Sequence, residues 1–204
     1  MRRLPVFLVL LAALAGLAVW WSLTVKPGKR AAATSGVYSV YRGTSPALRL
    51  TFEYPADWSL REETGRIERY AQVLIEGPRN ASGTLNPMLV VRSSPRANAG
   101  GRHPDARSLM EDHLSHLYKD PRILINRPVQ LSGRKGYETE YTHTIPPLHK
   151  PGLKGRSIDL RTRHLFIENG EHLVEVQFFA DRGDFDVYRR DVDRLLTSLK
   201  FSAD

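Results

Sequence analysis

The segment SIDLRTRHLFIENGEHLVEVQFFA, residues 157–180, constrains the fold more than any other stretch of this 204-residue chain. Two long runs rich in β-branched and aromatic residues flank Asn169-Gly170, the dipeptide that most favours a two-residue hairpin turn because both positions accept φ above zero. The two runs are therefore expected to pair antiparallel. A turn made of Asn169 and Gly170 sets Glu168 opposite Glu171, and with them Phe166 opposite Leu173, Leu160 opposite Phe179 and His164 opposite Glu175. Both faces of such a hairpin are partly apolar, as a sheet covered on both sides requires.

Shorter strand patterns precede it. In LRLTFEYPADWSL, residues 48–60, Leu48, Leu50, Phe52 and Tyr54 share one side and Arg49, Thr51 and Glu53 the other. The alternation stops at Pro55, which has no N–H for a ladder and marks a strand exit. Trp58 is expected to fill core volume just past that corner. Further strands are expected at residues 37–42, 71–76 and 87–93, and a hairpin at RILINRPVQLSGRKGYETEYTHT turns through Ser132 to Gly136, with Tyr137, Thr139 and Tyr141 on one side. Asp105 is a suitable N-cap for a helix on which Leu109, Met110, His113, Leu114, Leu117 and Tyr118 recur at helical spacing. Phe185, Tyr188, Val192, Leu195, Leu196 and Leu199 mark a second, C-terminal helix.

Strands, helix, four strands, helix is not the alternation of a parallel α/β protein. It predicts an α+β fold, an α/β/α sandwich with a mainly antiparallel central sheet. Three stretches, FEYPADWSL, VQLSGRKGYETEY and HLFIENGEHLVEVQFFA leading into FDVYRRDVDRLLTSLKF, resemble the PsbP-like family across residues 37–202. The resemblance implies the same α/β/α sandwich and a non-enzymatic accessory role, since that family comprises extrinsic photosystem II subunits and their exported or membrane-anchored bacterial relatives. The chain departs from the photosynthetic subunit by its apolar N-terminal run, and from exported lipoproteins by having no cysteine.

That run, LPVFLVLLAALAGLAVWWSLTV at residues 4–25, is uncharged and would measure about 33 Å as a helix, against a hydrocarbon core of about 30 Å. Trp20 and Trp21 near its end, followed by Lys26, fit an interfacial belt with a snorkelling base. Lys26, Lys29 and Arg30 separate it from the small-residue stretch at Ala31–Ala33, which disfavours a cleaved signal peptide. The expected organisation is a basic tail and transmembrane signal anchor at residues 1–25, a Pro- and Gly-containing tether at 26–36 and a PsbP-like domain at 37–204. Arg2 and Arg3 on one side nearly balance Lys26, Lys29 and Arg30 on the other, so charge alone does not set the orientation. The layout of a short basic tail directly before the run, that of an exported signal anchor, leads to the expectation of a domain on the extracytoplasmic side of the cell membrane.

The net charge of +8 is concentrated in Arg2, Arg3, Lys26, Lys29 and Arg30, leaving +3 for residues 31–204. Bases and acids are interspersed there, which argues against nucleic-acid binding. His113 and His116 stand three apart, not at the four-residue spacing of a zinc-protease helix, and His113 falls on the apolar stripe of a core residue. The sequence contains no nucleophile elbow and no phosphate-cradling glycine loop. No catalytic, metal or cofactor-binding residue is therefore expected. The candidate partner surface is the proline-rich connection HTIPPLHKPGLKGR, with His149, Lys150, Lys154 and Arg156, because long connections in compact domains are often functional. The competing expectation, an enzyme or small-ligand-binding protein, requires His, Asp and Arg side chains to converge in one apolar cleft.

Overall fold

The computed structural model describes residues 34–45, 48–64, 71–78, 85–95, 105–117, 121–146 and 157–202. The apolar run at residues 4–25 lies outside the described residues. Among those described, no helix is long and apolar enough to cross a membrane.

Among the described residues, ten strands form two sheets. β1 (Tyr38–Arg42), β2 (Leu50–Pro55) and β10 (Lys200–Phe201) make a three-stranded sheet in the order β1-β2-β10. β3 (Ser59–Thr64), β4 (Ala71–Glu76), β5 (Met88–Pro95), β6 (Arg122–Leu131), β7 (Arg134–Ile145), β8 (Ile158–Asn169) and β9 (His172–Asp181) make a seven-stranded sheet in the order β3-β4-β5-β9-β8-β7-β6. All of these pairings are antiparallel. Helix α1 spans Ala106–Ser115, and a 3₁₀ turn at Phe185–Val187 leads into helix α2, Arg189–Ser198. The fold is thus α+β and mainly antiparallel. Two strands go beyond the expected set: β3, immediately after Trp58, and the two-residue β10.

The two helices take opposite faces of the large sheet. On one face Val73, Leu89, Leu165, Val176 and Phe178 pack with Val192, Leu195 and Leu196 of α2 and with Leu50 and Phe52 of the small sheet, forming the main core. On the other, Ala106 and Met110 of α1 pack on Phe166. With cover on both sides, β4, β5 and β9 are buried along nearly their whole length.

The exit at Pro55 is where the chain changes sheet. Pro55 ends β2, where it pairs with Tyr38, and β3 begins at Ser59 in the other sheet. Trp58 fills the corner between them. It is 5% exposed, its ring 5.5 Å from Tyr188 in an edge-on contact and 6.4 Å from Phe178.

The β8–β9 register corrects the sequence expectation. Asn169 pairs with His172 and His164 with Gln177, so the two-residue loop is Gly170-Glu171, one position later than expected. Gly170 has φ +57° and Asn169 is an ordinary strand residue, so glycine occupies the first loop position, as in a type II′ turn. The loop with both residues at positive φ is instead Ser132-Gly133, joining β6 to β7. Moving the loop by one residue moves each partner by two, so every side chain keeps its face.

Candidate buried polar centre

Along β8 the residues Thr162, His164 and Phe166 point to the α1 side of the sheet. The ladders place Thr139 and Gln177 beside His164, and Glu175 beside Phe166. Arg92 of β5 pairs with Glu175, and Gln72 of β4 with Arg92. Five strands, β4, β5, β9, β8 and β7, thus carry polar side chains to one place. α1 closes it from above, its start set by Asp105, whose side chain accepts from the Ser108 amide at 2.8 Å, and by Glu168, which accepts from the Ala106 amide at 3.2 Å. Met110 is buried one turn along, and the next turn brings in His113.

The centre is a connected network. His164 Nε2 donates to Glu175 Oε1 at 2.8 Å, and Arg92 Nη1 donates to Glu175 Oε2 at 2.9 Å. Arg92 Nε reaches Gln72 Oε1 at 3.3 Å, and the Gln72 amide donates in turn to Glu63. His113 stands edge-on to His164, centroids 4.5 Å apart at 86°, with its Nε2 3.1 Å from the Tyr141 hydroxyl. His164 Nδ1 is buried without a hydrogen-bond partner among the described residues.

Burial decides the charge states. It would raise Glu175, but the Arg92 guanidinium and the His164 hydrogen bond hold this carboxyl well below the usual range. Burial and repulsion from His164 lower His113 to about 3 despite the attraction of Glu175, and burial also lowers His143. Burial raises the Tyr141 phenol. Tyr141 therefore stays protonated and hydrogen-bonds a neutral His113. Arg92 and Glu175 cancel each other's charge, and His113 is docked as a neutral imidazole. The arrangement fastens α1 to the sheet.

A second network holds α2 on the opposite face. Glu138 accepts from Arg127 Nε at 2.8 Å and Arg163 Nε at 2.7 Å. Glu140 accepts from Arg161 Nε at 2.7 Å and lies 3.3 Å from Arg189 Nη2 of α2. Arg161 and Arg189 also lie over the Phe185 ring, 4.6 and 5.4 Å from its centroid.

His113 is thus at the helix–sheet interface, as its place on the apolar stripe implied. His116 is not with it: it is exposed and its ring bonds back to the Asp112 carbonyl. Among the described residues no group of three or more His, Cys, Asp or Glu could hold a metal ion. His149, Lys150, Lys154 and Arg156 lie outside the described residues, in the connection that leaves β7 at Ile145 and returns at Ile158. The pairing of His164 with Glu175 was expected from the hairpin, directly opposite instead of diagonal, whereas the convergence of Arg92 and Gln72 on it was not anticipated. Its signals were single polar residues inside apolar runs, Arg92 in PMLVVRS and Glu175 in HLVEVQFF.

No family model matches the chain. No curated protein matches it in sequence. Solved structures do. Cyanobacterial PsbP from Synechocystis sp. PCC 6803, in solution, superposes with a TM-score of 0.50 at 14% identity, over 87% of this chain and 98% of that one. The chain has a PsbP-like fold. LpqN of Mycobacterium tuberculosis, described as involved in cell envelope biogenesis, gives 0.48 at 11% identity over 82% of this chain and 91% of its own. A Bacteroides thetaiotaomicron structure gives 0.45 at 11% identity over 81% of this chain, which spans about half, 48%, of that protein. At these identities the PsbP likeness establishes architecture, and α1 and α2 on opposite faces of an antiparallel sheet are its content here.

Proposed function

We propose that the chain is a membrane-anchored, non-enzymatic accessory domain that acts at the outer face of the cell membrane through protein–protein contacts. The observation that carries this reading is a fold shared with cyanobacterial PsbP along nearly that protein's whole length, joined in one chain to an uncharged 22-residue run. The interior agrees with it. The buried polar centre meets α1 through His113, and Tyr141 and His164 within it are fully buried. Recognition then falls to the surface, and the proline-rich connection with His149, Lys150, Lys154 and Arg156 is the proposed partner-binding segment.

Carbonate extraction tests the anchor: the full chain should stay with the membrane at high pH, and its release would overturn the reading. Proximity labelling from the domain in native membranes should mark extracytoplasmic proteins. Replacing Lys150, Lys154 and Arg156 by Glu should reduce that labelling, and labelling of cytoplasmic proteins alone would reverse the orientation.

One observation favours a second reading, a small-ligand or enzyme site: the unpartnered Nδ1 of buried His164 beside the Glu175 carboxylate. Under it, His164→Gln would abolish ligand binding while leaving the labelling pattern unchanged.

A further inference from the structure

Among the described residues the exposed large apolar side chains are Val37 (61%), Val40 (51%), Val187 (47%), Leu124 (41%) and Ile123 (40%). They come from three separate parts of the sequence, and the topology gathers four of them. Arg122, at the start of β6, pairs with Thr142 near the end of β7, Thr142 with Arg161 near the start of β8, and Arg161 with Ala180 near the end of β9. The 3₁₀ turn carrying Val187 leaves from that same end of β9. The Val37 carbonyl accepts from the Ala56 amide at 2.9 Å, in the corner that opens β3, and Val40 follows in β1. Val37, Ile123, Leu124 and Val187 therefore lie toward one end of the large sheet, while Val40, whose partner Glu53 meets Ser198 at the far end of α2, lies farther in. The Gly170-Glu171 turn marks the opposite end.

The tether arrives at the same end. Thr34 Oγ1 donates to both carboxylate oxygens of Asp191 near the start of α2, at 3.1 and 3.0 Å, and Tyr38 OH donates to Asp191 Oδ1 at 2.7 Å. The Ser35 amide donates to Asp57 at 3.3 Å. Only residues 26–33 separate Thr34 from the end of the apolar run at Val25, a reach of about 30 Å when fully extended. A twelve-residue strand such as β8 is about 40 Å long. A bilayer holding the run is always within reach of the Thr34 end, and the domain cannot stand on its Gly170 end.

We propose that this end rests on the lipid bilayer surface through Val37, Ile123, Leu124 and Val187, fixing the orientation of the domain. The inference rests on the anchoring reading above. Among the described residues, exposed Arg122, Arg182 and Arg190 are matched there by exposed Asp57, Asp159 and Asp186, so the contact made by the described residues is apolar.

The chain has no cysteine, so single spin labels can be introduced into the full chain in phosphatidylcholine nanodiscs at Ala12→Cys, Val37→Cys, Leu124→Cys and Glu171→Cys. Collisions with lipid-dissolved oxygen and with an aqueous nickel chelate report each label's surroundings. The expected result is oxygen contact and loss of nickel collisions at 12, 37 and 124, and nickel access at 171. Lipid contact at 12 with 37 and 124 as aqueous as 171 would overturn the surface and leave the anchor standing. An aqueous label at 12 would overturn both. Shielding at 37 and 124 that disappears when the protein is diluted at fixed lipid would assign the patch to a second copy and overturn the proposal.

Discussion

His164 and Glu175 hydrogen-bond at 2.8 Å although they lie diagonally, not opposite, across the β8–β9 ladder. Diagonal neighbours on one face are within reach of long side chains, so a two-residue shift of register preserved the pair. Glu175 also accepts from Arg92, and neither is more than 10% exposed. Removing the carboxylate charge leaves a buried guanidinium uncompensated. Glu175→Gln should therefore cost about 3–5 kcal/mol, read from denaturant unfolding. Arg92→Met in the same background should recover part of the loss; strictly additive losses would show that the two side chains are not coupled.

Acid should loosen the α1 interface before it touches the carboxylates. His113 has an ordinary value of 6.5 when unfolded and about 3 in the fold, where it faces His164, His143, Tyr141, Arg92 and Glu175. Because the unfolded chain takes up this proton first, stability falls as the pH drops below about 6.5, by at most about 1.4 kcal/mol per unit for one histidine. His143 acts in the same direction. Glu175 is lowered from 4.5, so its contribution is present above that value and lost only below it. Unfolding midpoints measured from pH 7 to 5 should decline in the wild type and less steeply in His113→Gln. Equal slopes would remove His113 from the account.

Trp58 fills the corner where the chain passes between sheets, and Trp58→Ala should cost about 3–5 kcal/mol. Its Nε1 has no hydrogen-bond partner among the described residues, so Trp58→Phe should cost clearly less. Gly77→Ala should also destabilise, since a Cβ there would sit 2.9 Å from the Trp58 ring and 2.7 Å from the Pro87 side chain. Thermal melts of the three variants test the set, and a Trp58→Ala protein within about 1 kcal/mol of wild type would mean that the ring packs on nothing.

The corrected turn separates Asn169 from Gly170. Asn169→Thr, in a strand position, should change stability by no more than about 0.5 kcal/mol. Gly170→Val, at φ +57°, should cost more than about 1 kcal/mol. The reverse order in unfolding midpoints would restore the Asn169-Gly170 loop.

What the chain determined locally was the set of elements. Alternation in Leu50–Pro55, the stop at a residue without an N–H, the Asp105 cap and the helical stripe through Met110 and His113 each depend on residues a few positions apart, and each appears in the structure. Face assignment was equally legible, because side chains alternate with a period of two and a two-residue shift in partners leaves it intact. Partnership across the sheet was not. Arg92 meets Glu175 only because β5, not β7, lies beside β9, a choice made by cover on both faces of the large sheet. Sequence periodicity holds no information about pairing between strands some 80 residues apart, so the buried centre became visible only with the topology. Division into two sheets was decided in the same way: Pro55 announces that β2 ends, while the packing of Trp58 against Phe178 and Tyr188 determines which sheet receives β3.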